Sequence, residues 1–231
     1  SMDQKQLVDA TRQFGLCPPN PRPREVQSAR QREMLPEILL VTNIREDGTP
    51  IGAHPDGEMW FHHDTIHQPV PHWATLLYAR EVPTFGGNTV FSNLFAAYET
   101  LPDDLRRGLE GRMAYNAFLY GANKKNDPHA TKARAYAEHP AIRPHPITGR
   151  KAIFVDRLMT HHLVDVPEKE SEAVLERVSE MVFVDAARRY LESLPEGEGT
   201  GWFAALRDRF VGRAIALMHD RPAEAWTVDE L

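Results

Sequence analysis

His62 and Asp64 stand two residues apart in the run Met59-Trp60-Phe61-His62-His63-Asp64-Thr65-Ile66-His67. In an extended backbone, residues i and i+2 project to the same side. Trp60, His62 and Asp64 then share one face, and Phe61, His63 and Thr65 share the other. An imidazole nitrogen and a carboxylate oxygen on one face supply two donors of a 2-His-1-carboxylate site, whose open positions suit Fe(II) and oxygen activation. The same two residues also read as an ordinary polar pair at a strand end, so the pair alone does not assign the chemistry. Downstream, Gly86-Gly87-Asn88-Thr89 reads as a turn. Its glycines supply backbone freedom, and Thr89 supplies either a hydroxyl for a ligand or a plain β-branched strand residue.

These residues need elements to hold them. Residues 3–14 read as a helix, with Leu7, Val8, Ala10 and Phe14 at helical spacing, and the proline-rich stretch from Cys17 to Pro23 ends it. Residues 37–43, 58–66, 73–82 and 89–94 read as strands, and 151–155 as a further strand after the turn at 144–149. Residues 95–101 read as a helical turn. Residues 102–110 read as a helix, with Pro102 at its start, Asp103 and Asp104 in its first turn and Gly111 closing it. Residues 115–139 read as a long polar surface loop. Helices are expected to begin at 168 and to cover 181–194 and 202–219, so the chain is strand-rich from 37 to 165 and helical beyond about 168.

Read together, the segment from Gly57 to Arg112 resembles the taurine/2,4-D dioxygenase family, which depends on Fe(II) and 2-oxoglutarate. The resemblance is carried by His62-His63-Asp64, then the run at 75–82, then Gly86-Gly87-Asn88-Thr89, then Tyr98-Glu99-Thr100-Leu101-Pro102. The stretch 139–175 also resembles the family, and the likeness extends over about residues 3–176. It implies a double-stranded β-helix (jelly-roll) core, mixed β with α, with peripheral helices. It implies that His62 and Asp64 bind the iron and that Thr89 meets a 2-oxoglutarate carboxylate. It further implies oxygenation of a small anionic metabolite, with release of succinate and CO2.

The Trp-Asp-Asn-Arg sequence that the family places near its second histidine does not occur in the chain. His161, His162 and His219 are the replacements considered. His219 reads more simply as a cation at a helix C-terminus. Without strands at both ends the sheet would carry open edges, which a second copy of the chain could cover. Residues 179–231 resemble part of an AraC-type transcription regulator, its linker helix and first helix, with no recognition helix. The alternative reading of the chain is therefore a non-catalytic fragment joined to a regulator-like module, and the preferred reading of the tail is a helical appendage.

Composition narrows the choice. Lys and Arg number 27 against 33 Asp and Glu, a net charge of −6, which argues against a broad polyanion-binding surface. The partner expected is a small molecule, with neither nucleic acid nor membrane, because no apolar run reaches the roughly 20 residues a spanning helix needs. Cys17 is the sole cysteine, which excludes an internal disulfide and a cysteine-rich zinc site and fits a reducing, cytoplasmic setting.

Overall fold

The computed structural model describes residues 2–53, 59–84, 87, 89–119 and 134–193, and positions 211, 213, 214 and 227. Helix α1 spans Gln4–Arg12. Asp3 caps it by accepting from the Gln6 amide, and the Gln6 side chain returns to the Asp3 amide, a reciprocal cap. A short helix α2 covers Ala29–Arg32, capped by Ser28. Strands β1 (Arg45–Glu46) and β2 (Thr49–Pro50) form a small hairpin.

Helix α3 covers Leu94–Glu99 and α4 covers Asp103–Leu109. The helix after Pro102 therefore forms as its residues dictate. Gly111 follows with φ +72°, a left-handed conformation that glycine adopts without a Cβ clash.

Strands β3 (Met113–Leu119), β4 (Arg134–Pro140), β5 (Ile142–Pro144), β6 (Lys151–Ile153) and β7 (Thr160–Leu163) follow. They build an antiparallel sheet in the order β4-β3-β7 and a separate β5-β6 hairpin. A register shift falls between Tyr115 and Asn116 where β3 pairs with β7. Helix α5 then runs unbroken over Glu168–Ser193, because nothing between 177 and 181 is a glycine or proline that would stop it.

The main core packs Leu101, Leu105 and Leu109 around α4 against Ala114, Ile142, Ile153 and Leu163 of the strands and Leu175, Val178 and Val182 of α5. The spacing of those last three puts them on one helical face. A second apolar cluster joins Ile66, Phe118, Leu158 and Met159, with Met59, Trp60 and Phe154 against it. The chain divides into two compact units, 1–183 and 184–231. In the second unit, Asp185 is paired with Arg188 and Arg189 at 2.9 and 2.7 Å.

Two parts of the sequence reading are corrected. Residues 115–119 and 134–139, expected in a loop, are paired strands of β3 and β4. Burial alternates in β4, with Ala137 and His139 buried and Tyr136 and Glu138 exposed, while in β3 Ala114, Asn116, Ala117 and Phe118 are all buried. Conversely, the described parts of 37–43, 58–66, 73–82 and 89–93 belong to no strand, apart from one bridge between Val41 and Ala53, and Leu94 begins helix α3. An apolar run becomes a strand only where a neighbour takes up its backbone hydrogen bonds. At residues 38–40 the buried Gln31 amide side chain takes that part, donating to the Ile38 carbonyl and accepting from the Leu40 amide, each at 2.7 Å. Among the described residues the strands form no closed barrel. Residues 120–133 of the expected loop and the expected helix 202–219 lie outside the described residues, apart from positions 211, 213 and 214.

Candidate metal-binding site

The segment carrying His62 and Asp64 is not a strand, yet it holds the two side chains together as an extended run would. His62 Nε2 lies 3.3 Å from Asp64 Oδ1. A sharp turn follows, with Thr65 at φ +58°, a costly conformation for a β-branched residue. The turn is secured from within. Thr65 Oγ1 accepts from the His72 amide at 2.8 Å, the Gln68 amide donates to the Thr65 carbonyl, and Ile66 is wholly buried. His139 Nε2 donates to the Gln68 carbonyl at 2.9 Å and ties the far end of the turn to β4.

The imidazole of His62 is held at both ring nitrogens. Its Nδ1 lies 2.8 Å from the Trp60 carbonyl. A carbonyl only accepts, so Nδ1 carries the hydrogen, and Nε2 is the nitrogen turned to Asp64. This is the arrangement by which backbone carbonyls fix the tautomer of metal-binding histidines. Burial works against a charge on His62. The Asp64 carboxylate and the Trp60 carbonyl outweigh it, and the imidazole pKa is raised. The hydrogen bond from His62 is the main cause that holds Asp64 down at about 2. Burial opposes it and the Thr75 hydroxyl assists. Asp64 is thus an anion at neutral pH, its side chain about half exposed.

Two donors bound side by side on one ion at roughly 2.1 Å each stand about 3 Å apart. The His62–Asp64 pair therefore fits two adjacent corners of a facial triad by spacing and by donor type, with the hydrogen between Nε2 and Asp64 lost on binding. Among the described residues, no group of three His, Cys, Asp or Glu side chains gathers as a metal cluster. His161 and His162 lie elsewhere, on β7, where His162 stacks on Tyr115 with ring centres 5.0 Å apart. Thr89 is exposed on extended chain, and Gly87 before it has φ +71°. Gly86, Asn88 and His219 lie outside the described residues.

Sequence reasoning missed three side chains that support the site. Thr75 bonds to Asp64, Asp156 in the β6–β7 turn bonds to His63, and Thr160 at the start of β7 bonds to Asp156. For Asp156 a signal was present, an acidic residue closing the apolar run Ala152-Ile153-Phe154-Val155. A buried carboxylate in that place has to be hydrogen-bonded.

The taurine catabolism dioxygenase TauD, TfdA family model matches residues 1–192. The (S)-phenoxypropionate/alpha-ketoglutarate-dioxygenase of Sphingobium herbicidovorans is 29% identical over 202 residues, 78% of this chain and 69% of that protein. Pentalenolactone F synthase of Streptomyces arenae is 30% identical over 155 residues, covering 61% of this chain and 52% of that one. A solved structure from Burkholderia xenovorans, assigned as an alpha-ketoglutarate dependent 2,4-D dioxygenase, aligns with a TM-score of 0.50 at 26% identity. It covers 78% of this chain and 61% of its own. The chain thus spans about half to two thirds of the length of these relatives. The match over residues 1–192 includes the His62–Asp64 pair and the β6–β7 turn, and with it the chain belongs to the taurine catabolism dioxygenase TauD, TfdA family.

Proposed function

We propose that the protein oxygenates a small anionic metabolite with Fe(II), O2 and 2-oxoglutarate, releasing succinate and CO2. The observation that supports this reading is the His62–Asp64 pair, 3.3 Å apart, with the His62 ring oriented by the Trp60 carbonyl; a metal would displace the hydrogen that Nε2 shares with Asp64. Bound Fe(II) would activate O2, the oxidant, with decarboxylation of 2-oxoglutarate to succinate supplying two of the four electrons, for attack on an unactivated C–H bond. The chain's own residues do the rest. His62 Nε2 and Asp64 Oδ1 would hold the ion, and the Trp60 carbonyl keeps the ring from turning. Thr75 steadies the carboxylate. Thr89 would donate its hydroxyl to a 2-oxoglutarate carboxylate. An anionic substrate is supported by the Sphingobium relative, which is named for a carboxylate, phenoxypropionate. The core would be that of a jelly roll with peripheral helices, and residues 179–231 a helical appendage.

The test is succinate release. Protein loaded with Fe(II) is incubated with ascorbate, O2 and 2-oxoglutarate, with and without a panel of carboxylates and sulfonates. Succinate above the Asp64→Ala background is expected. None, from folded and Fe(II)-loaded protein, would retire the reading.

A further inference from the structure

We propose that Asp156 is the positioning residue of the His62–Asp64 pair, acting through His63; the inference rests on reading that pair as metal donors. His63 sits between the two donors and points away from them. Its backbone amide donates to Asp156 Oδ2 at 3.1 Å, and its ring Nδ1 donates to the same oxygen at 3.1 Å. The other carboxylate oxygen accepts from the Met159 amide at 2.7 Å. One buried carboxylate, 7% exposed, thus takes three hydrogen bonds, two of them from the residue joining the donors. Bonds to an ionised acceptor are the stronger class, and a buried carboxylate that has them cannot release them without an unpaired charge.

Asp156 is itself fixed. Its amide donates to Thr160 Oγ1 at 2.9 Å, and that hydroxyl donates to Asn116 Oδ1 at 2.7 Å in the middle of β3. Asn116 is fully buried and donates to the Ala114 carbonyl. The chain of bonds runs from the sheet, through Thr160 and Asp156, to His63.

Neighbours of Asp156 grip the same segment. Phe154 meets the His63 ring edge-on with centres 4.9 Å apart. The Arg157 guanidinium lies 4.6 Å over the Trp60 ring, whose backbone carbonyl orients His62. Leu158 and Met159 pack on Ile66 just past Asp64. Residues 154–159 therefore form a saddle that holds the donor segment at Trp60, His63 and Ile66. At the centre of that saddle, Asp156 alone of its polar side chains bonds the residue lying between the two donors. A segment without a β-ladder of its own needs such an anchor to keep two side chains in register.

The experiment has two readouts, neither of them catalysis. Imidazole nitrogen NMR of the metal-free protein reports the His62 tautomer, and calorimetry with Mn(II) reports affinity. Both are measured on wild type, Asp156→Ala, Asp156→Asn and a core control, Leu105→Ala, which is remote from the site. Asp156→Ala is expected to weaken Mn(II) about 10- to 100-fold and to loosen the His62 Nδ1 hydrogen bond to the Trp60 carbonyl, seen as averaged ring-nitrogen signals. Asp156→Asn, which keeps one acceptor oxygen, is expected to fall between it and wild type. Leu105→Ala is expected to do neither while folded. Wild-type affinity and an unchanged His62 spectrum in the folded Asp156 variants would overturn the proposal, as would a loss no larger than that of Leu105→Ala. If Asp156→Ala does not fold, Asp156→Asn decides by the same criteria. If wild type binds no Mn(II), the metal reading fails and the His62 spectrum alone decides. A change on removing Asp156 upholds the positioning role, and no change ends it.

Discussion

His67 shows how one side chain near the site carries its own pH dependence. It is 3% exposed, its Nδ1 lies 3.4 Å from Met159 Sδ, and its ring leans on Phe118. Burial lowers its pKa to about 4, more than the nearby Asp156 and Asp64 carboxylates offset, while His72 adds to the lowering. The unfolded chain would protonate His67 near pH 6.5, so between that pH and about 4 the unfolded state binds more protons. The stabilisation is therefore complete above pH 6.5 and is lost as pH falls towards 4, at a cost of roughly 2–3 kcal/mol. Urea unfolding at pH 7 and pH 4.5 should show a smaller loss for His67→Phe than for wild type; equal losses would contradict the assignment. At this scale the sequence was informative for His62 and Asp64, because their spacing carries the chemistry whether the backbone is a strand or a tight turn. It was silent on Thr75 and gave Asp156 only as an acidic end to an apolar run, because their roles arise from contacts 11 and 93 residues away in the chain.

At the scale of elements, the turn after Asp64 is held by burial. Ile66 is fully enclosed by Phe118, Leu158 and Met159. Ile66→Ala is expected to cost about 2–5 kcal/mol, read as a lower urea midpoint at unchanged slope. A loss below about 1 kcal/mol would mean that the second cluster is not part of the folded core. The cap of helix α1 contributes less. Replacing Asp3 by Ala removes its side-chain acceptor and should cost about 1 kcal/mol, visible as a lower unfolding midpoint; an unchanged midpoint would show that the cap contributes nothing. Helices α1 and α4 were legible because their caps and periodicity are local. The apolar runs at 37–43 and 73–82 were read as strands because their composition is right. Strand formation needs a partner, and composition does not contain one. The reverse error at β3 and β4 has the same origin, since their mutual pairing is written in neither segment, and Asn116 and His139, though polar, are buried.

Over the whole molecule, the family match reaches residue 192 and takes in most of α5, while no described helix is long and apolar enough to cross a membrane. The β4-β3-β7 sheet, the saddle at 154–159 and the donor segment are linked in series. The sheet fixes Asn116 and Thr160, these fix Asp156, and Asp156 fixes the residue between His62 and Asp64. At the end of that series stands the central claim, that the His62–Asp64 pair binds a divalent metal. Calorimetric titration of Fe(II) or Mn(II) into wild type and Asp64→Ala, under anaerobic conditions for Fe(II), tests it most directly. One ion per wild-type chain is expected, with a loss of at least about tenfold in affinity, some 1.4 kcal/mol, in Asp64→Ala. Equal binding by the two proteins would contradict it.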